Sequence, residues 1–245
     1  MSFIVVIPAR YQSVRLPGKP LIEIAGKPMI QHVFERACES QAAAVYIATD
    51  NDDIKKSCEA FDAQVCMTDA GHASGSDRIE EVCRLLDLND EDIVVNVQGD
   101  EPLIPPAVIN QVADNLITNA EAGLCSLYEL IPNPDEAADP NMVKVVTDKK
   151  GMALYFSRAV VPFNRDQAEE ISYKRHIGLY AYRAKTLHDF VSWPVSELER
   201  IEKLEQLRFM ANCIKIHMAQ SCESIPPGVD TEADLKHIKT LLEKR

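Results

Sequence analysis

The chain opens on an apolar run, residues 2–7, whose β-branched core Ile4-Val5-Val6-Ile7 lacks the alternation of a strand with one wet face. Runs of this kind build parallel strands buried on both sides, and Pro8 is expected to end this one. From Pro28 onward, Met29, Ile30, Val33, Phe34 and Ala37 recur at helical spacing behind a proline suited to a first turn. The alternation then repeats. Residues 44–48 predict a strand, 52–61 a helix capped by aspartate, 64–67 a short strand, 77–88 a helix and 93–97 another buried strand. Pro105-Pro106 opens a helix whose Val108, Ile109, Val112, Ala113, Leu116 and Ile117 form one stripe. Strand and helix in this order predict the α/β class with a doubly wound parallel sheet.

Beyond about residue 122 the texture changes. Strand patterns fall at 124–131, 142–147 and 152–156, the last two joined by a hairpin-like turn at Asp148-Lys149-Lys150-Gly151, so the middle of the chain reads as β-rich and inserted. Helices are expected at 185–192 and 196–212, the latter burying Leu198, Ile201, Leu204 and Leu207 and pairing Glu199 with Lys203. A strand at 214–218 and a last helix capped by Thr231 complete the pattern.

A chain of 245 residues with 46% apolar content can bury a full core as one domain, or as one domain carrying an insertion. Its net charge of −12 opposes a nucleic acid or an anionic membrane as partner, so any phosphate site has to be local. Seven cysteines without a CxxC pair suit a reducing compartment, and no apolar run approaches the ~20 residues that span a bilayer. The expected location is the cytoplasm.

One loop inverts the charge balance. Residues 8–20, between the first strand and helix, carry Arg10, Arg15 and Lys19 with no acid before Glu23. Open α/β sheets place ligands at the carboxyl ends of their strands, and arginine forks and a lysine charge hold phosphate oxygens. The alternative is a solvated loop paired to surface carboxylates. The segment matches neither GxxxxGK[ST] nor GxGxxG, which disfavours a Walker ATPase and a Rossmann dehydrogenase. Asp100 follows the 93–97 strand in Gln98-Gly99-Asp100-Glu101-Pro102, and Asp230 precedes the last helix in Gly228-Val229-Asp230-Thr231. Such hard oxygen donors suit Mg²⁺, although each aspartate taken singly also fits a turn or helix start.

The loop's Ile-Pro-Ala-Arg-Tyr and Arg-Leu-Pro-Gly-Lys-Pro-Leu segments resemble the signature of the sugar nucleotidyltransferases, in the form of the 3-deoxy-manno-octulosonate (Kdo) cytidylyltransferase family. The likeness runs the length of the chain to Gly228-Val229-Asp230-Thr231. It implies a Rossmann-like nucleotidyltransferase domain over 1–245, with 1–122 and 213–245 mainly nucleotide-binding and 123–212 mainly sugar-binding and dimerising. It implies an enzyme that joins Kdo to CMP from CTP, releases pyrophosphate and supplies lipopolysaccharide biosynthesis, with Mg²⁺ on Asp100 and Asp230. Arg10, Arg15, Lys19 and Asp100 would be catalytic. Pro8, Ala9, Arg10, Arg15, Lys19, Ser74, Arg78 and Gln98 would hold CTP, with Ser74 and Arg78 at the base; Ser76-Asp77 stands there in place of the usual Thr-Glu. Gln98, Arg158, Arg165, His176, Tyr180, Glu205 and Gln206 would hold Kdo. A homodimer would form through the inserted region, for which Leu154-Tyr155-Phe156 and residues 160–163 are candidates, the alternative being that these segments belong to the core. Two rival readings remain: the same chemistry on the 8-amino analogue or a sialic acid, and a non-catalytic module that senses CTP.

Overall fold

The computed structural model describes residues 2–12, 16–72, 74–166 and 171–242. The first half alternates as the pattern predicts. It comprises β1 (Phe3–Ala9), a small hairpin of β2 (Glu23–Ile24) and β3 (Lys27–Pro28), α1 (Met29–Cys38), β4 (Ala44–Thr49), α2 (Asp52–Glu59), β5 (Gln64–Met67), α3 (Gly75–Leu85), β6 (Ile93–Asn96) and α4 (Pro106–Thr118). The second half adds β7 (Leu124–Leu130), β8 (Lys144–Thr147), β9 (Ala153–Ser157), β10 (Lys174–Arg183), α5 (Ala184–Ser192), α6 (Glu197–Glu202), α7 (Gln206–Ala211), β11 (Ile216–Gln220) and α8 (Glu232–Leu242).

Nine strands form one sheet, with the path β11-β7-β10-β6-β1-β4-β5 and β8 and β9 attached beside β10. Along that path only β10 is reversed: it pairs antiparallel with both β6 and β7, and every other pairing is parallel. The doubly wound, mostly parallel α/β sheet therefore stands. Alternate residues feed two cores. Val5, Ile7, Val95, Val97 and Leu127 pack toward α1, α2 and α4, whereas Val6, Val94 and Tyr182 pack toward α3, α5 and α7.

Several local expectations change. β1 continues through Pro8 to Ala9. Val6 takes the Val97 N–H at 3.2 Å, and Pro8, two residues on, turns its missing donor to the same flank, where β6 has already ended. The cap of α2 is Asn51, whose side chain accepts from the Asp53 and Ile54 N–H groups. The single helix expected at 196–212 is two, because Lys203 takes a left-handed conformation (φ 55°, ψ 46°) that closes α6. The break turns Leu198 and Ile201 out to solvent, 44% and 60% exposed, while Leu204 and Leu207 stay buried. Glu199 accordingly pairs with Arg208 across the break, at 2.6 and 2.8 Å, and not with Lys203. Thr231 does cap α8, accepting from the Asp234 N–H while Asp234 accepts from Thr231. No helix among the described residues is long and apolar enough to cross a membrane.

Strand β10 went unpredicted as an element, since a Lys-Arg-His lead-in and Gly178 mask its alternation. Its pairing with β7 slips by two residues between Ile177 and Tyr180, so the side-chain alternation is kept and His176 and Tyr180, four residues apart on one face, have ring centroids 5.4 Å apart. His176 also meets Phe156 edge-on and shares a 3.1 Å hydrogen bond between Nε2 and Ser126 Oγ. Burial among these rings lowers its pKa to about 3. The native state then binds fewer protons than the unfolded chain between that value and about 6.5, so stability is lost as pH falls through this window, by at most about 1.4 kcal/mol per unit. Urea unfolding of wild type and His176→Gln between pH 7 and 4.5 should show the variant losing less stability on acidification; parallel curves would contradict the assignment.

Candidate functional site

From β1 the chain winds outward through β4 and β5, then returns on the other flank as β6. At this switch point the carboxyl ends of β1 and β6 open a cleft of about 490 Å³. Pro8, Ala9 and Arg10 enter it from the end of β1, Lys19 from a 3₁₀ turn, Ser74 from the start of α3, Gln98 and Asp100 from beyond β6, and Asp230 from ahead of α8. Residues expected at the triphosphate and at the metal thus share one cleft. Gln12, Gly75 and Gly99 join them unpredicted. Arg15 lies outside the described residues.

Lys19 is the junction. Its Nζ donates to Asp100 Oδ2 at 2.6 Å, to Asp230 Oδ1 at 3.2 Å and to the Val229 carbonyl at 2.8 Å. Backbone geometry makes the meeting possible. A Cβ on Gly99 would stand 2.8 Å from the Pro8 carbonyl oxygen, so only glycine lets the loop after β6 lie against β1. The Asp100 carbonyl then accepts the Val229 N–H at 2.8 Å, and the fully buried Val229 anchors that segment among Leu16, Ile24, Met29, Leu103 and Ile238. Gly18, left-handed at φ 67°, starts the turn that carries Lys19.

The start of α3 forms the opposite wall. Ser74 and Asp77 cap each other reciprocally, at 2.9 and 3.2 Å, so Asp77 serves the capping box where the resemblance would place glutamate. Ser74 and Gly75 leave the positive end of this helix facing the cleft. Arg78, expected at the base, does not line the cleft: it is 1% exposed, held by Asp50 at 3.1 Å and bonded to Thr68 Oγ1. From beneath, it acts on Arg10, whose pKa is lowered by burial first and by the Arg78 charge second.

A second pocket, about 380 Å³, opens on the other side of Asp230 and includes Glu101, Arg175, His176, Gly178 and Gly228. Of the residues expected at the sugar, His176 is the one on its wall. Tyr180 packs half-buried behind it, its hydroxyl pKa raised by desolvation and by the neighbouring Tyr182 and Glu205. Glu205 and Gln206 pack behind α3: Ser76 Oγ donates to Glu205, whose pKa is raised by burial against the pull of its serine hydrogen bonds, and Gln206 Nε2 is buried without a hydrogen-bond partner among the described residues. Gln98 reaches back to Asn96 at 3.2 Å.

The two remaining sugar candidates stand elsewhere. Arg158 clasps the link between α6 and α7, donating to the carbonyls of Glu202 at 2.7 Å and Pro140 at 2.8 Å, which is a structural tie. Arg165 is exposed and lines neither pocket. A further groove of about 460 Å³ beside residues 220–224 contains none of the predicted residues; there Arg175 is tied to Glu129 at 2.5 Å.

Glu101 and Arg175 were missed. Burial and the charge of Asp100 raise the Glu101 pKa to about 8, opposed by Arg175. Sequence offers no sign of this, because the burial comes from tertiary neighbours distant along the chain, Gly228 among them. Asn96 did leave a signal, a lone amide ending the otherwise apolar strand Ile93-Val94-Val95.

A family model described as cytidylyltransferase matches residues 4–216. The 3-deoxy-manno-octulosonate cytidylyltransferase of Cellvibrio japonicus is 58% identical over 252 residues, 99% of each chain, and that of Pseudomonas syringae is 54% identical over 99% of this chain and 98% of its own. A solved CMP:2-keto-3-deoxy-manno-octonic acid synthetase complexed with CTP superposes with a TM-score of 0.94 at 41% identity, covering 100% of this chain and 99% of the other. A cytidylyltransferase from Leptospira borgpetersenii, at 14% identity and a TM-score of 0.65, shares the fold. With its cleft at the sheet's switch point and this likeness from end to end, the chain belongs to the cytidylyltransferase family, in its 3-deoxy-manno-octulosonate branch.

Proposed function

We propose that this chain activates Kdo with CTP, giving CMP-Kdo and pyrophosphate for lipopolysaccharide biosynthesis. The observation that carries the reading is the meeting of Lys19, Asp100 and Asp230 in the switch-point cleft, in a chain 58% identical over nearly its full length to a Kdo cytidylyltransferase. The 2-hydroxyl oxygen of Kdo bonds to the α-phosphorus as the bond to the bridging oxygen of pyrophosphate breaks, and the hydroxyl proton passes to solvent. Arg10 and Lys19 lie where the triphosphate oxygens gather, and Arg15 joins them by family likeness. Their charges stabilise the departing pyrophosphate, while Ser74 and the first turn of α3 hold the nucleotide's other end. Gln98 sits between nucleotide and sugar. The pocket beyond Asp230 receives Kdo, so the two anions meet at the aspartates.

The donors fit Mg²⁺. Two carboxylates turn an oxygen toward one cationic nitrogen, a pair of hard donors suited to an ion that keeps waters and phosphate oxygens as its other ligands. Asp100 and Asp230 would hold it, and when bound it neutralises triphosphate charge and polarises the phosphoryl group. Lys19 serves as the resident counter-charge until then, and moves from the aspartates to the phosphates as nucleotide binds.

The protein acts in the cytoplasm, in line with seven free cysteines, three of them with thiol pKa values pushed up to about 12 by burial. It pairs as a homodimer through the outward apolar residues Leu154, Val160 and Phe163, the last 81% exposed; Phe156 is fully buried and belongs to the core.

Pyrophosphate release, assayed with the four nucleoside triphosphates and with Kdo, its 8-amino analogue or a sialic acid, should be fastest for CTP with Kdo. Asp100→Asn and Asp230→Asn should each lower turnover at least about a hundredfold with the fold intact by circular dichroism. Full activity in either would remove the metal assignment. Lys19→Met should raise the affinity for Mn²⁺ without nucleotide roughly tenfold, about 1.4 kcal/mol, read from the electron paramagnetic resonance of free Mn²⁺; an unchanged affinity would show that the lysine does not hold the carboxylates' charge.

A further inference from the structure

Glu101 follows Asp100 directly, yet its side chain takes no part in the Lys19 junction. Its Oε2 is closed off from solvent and has no hydrogen-bond partner among the described residues, and the side chain lines the 380 Å³ pocket that begins at Asp230. The groups that could satisfy it are engaged elsewhere: Arg175 is bonded to Glu129 at 2.5 Å, and Asp100 is bonded to Lys19 at 2.6 Å. A buried polar oxygen left unsatisfied destabilises the fold, so an orphan at a pocket wall points to a partner that arrives from outside. Glu101 as a whole is half-buried at the wall of that pocket, so rotation about its last side-chain torsion turns Oε2 toward it. A Cβ on Gly228 would stand 3.6 Å from Glu101 Cγ, so glycine packs on the carboxyl's stem.

We propose that Glu101 is a binding residue for the acceptor sugar, its carboxyl hydrogen-bonding to hydroxyl groups of a polyhydroxylated acid seated between Asp230 and His176. This rests on the cytidylyltransferase reading and adds to it a residue that discriminates the acceptor. Hydroxyl recognition by a group otherwise unpaired is a strong source of selectivity, because an acceptor lacking the hydroxyl leaves the site unsatisfied.

The test compares wild type with Glu101→Leu, which keeps bulk without polarity, and Glu101→Gln, which keeps a hydrogen-bonding head. In steady-state pyrophosphate release, Glu101→Leu should raise the KM for Kdo at least tenfold with the KM for CTP unchanged, and Glu101→Gln should stay within about threefold of wild type for both. An unchanged KM for Kdo in Glu101→Leu, or a parallel rise for Kdo and CTP, would overturn the proposal. Should Glu101→Leu fail to fold by thermal melting, Glu101→Gln and Glu101→Asp decide the matter: a rise for Kdo alone in the shorter aspartate supports it, and equal values in both overturn it. Absence of turnover by wild type with any acid sugar would remove the cytidylyltransferase reading and this inference with it.

Discussion

One ammonium group organises the site. Asp100 and Asp230 are brought to the same nitrogen from positions 81 and 211 residues away from Lys19 along the chain. Two carboxylates held this close repel unless a cation stands between them, so Lys19 supplies the charge that the meeting of Asp100 and Asp230 requires. The backbone enforces the arrangement independently of charge, through Gly99 against Pro8, the Asp100 carbonyl bonded to Val229, and Val229 packed in a buried cluster with α8. An acidic site that is preassembled and internally neutralised can exchange its counter-charge without refolding. That is the property wanted where a polyanion and a cation bind together.

Behind the cleft runs a second polar layer, and its role is support. Asn96 bonds to Gln98, Ser76 to Glu205, and Arg78 to Asp50 and Thr68. Each buried polar group here fixes another, which holds the first turn of α3 and the end of β6 in register. The aromatic stack His176, Tyr180, Tyr182 and Phe209 continues this layer across the sheet, and Phe209 stacks on Phe190 at 4.4 Å. Glu205 and Gln206 belong to this bed.

Much of this was legible in the residues themselves. The continuous apolar strands at 93–97 and 2–7 identified the sheet's centre because burial on both faces erases alternation. The cationic loop stood out because it contradicts the chain's acidic balance. What could not be read was set by tertiary pairing. Strand β10 carries charges and a glycine that local pattern takes for loop, and it becomes a central strand only because β6 and β7 flank it. The αL kink at Lys203 has no local signal, as lysine is a good helix former, and it reversed the burial of Leu198 and Ile201. Arg158 and Arg78 have the right chemistry for anionic ligands, but carbonyls and a carboxylate within the fold claim them first.

The chain's net charge of −12 sets it against its own anionic substrates, and distance resolves the conflict. At physiological salt, charges separated by more than about 8 Å are largely screened, so a triphosphate in the cleft responds to the groups beside it and little to the acidic surface beyond. Beside it are Arg10, Lys19 and the amino end of α3, with Arg78 one layer below. The Arg78 charge and burial lower the Arg10 pKa, and Asp50, Asp77 and Glu205 around Arg10 oppose that shift. The acids nearest the cleft therefore do not oppose the substrate: they hold the cations in place, and two of them, Asp100 and Asp230, are themselves covered by Lys19.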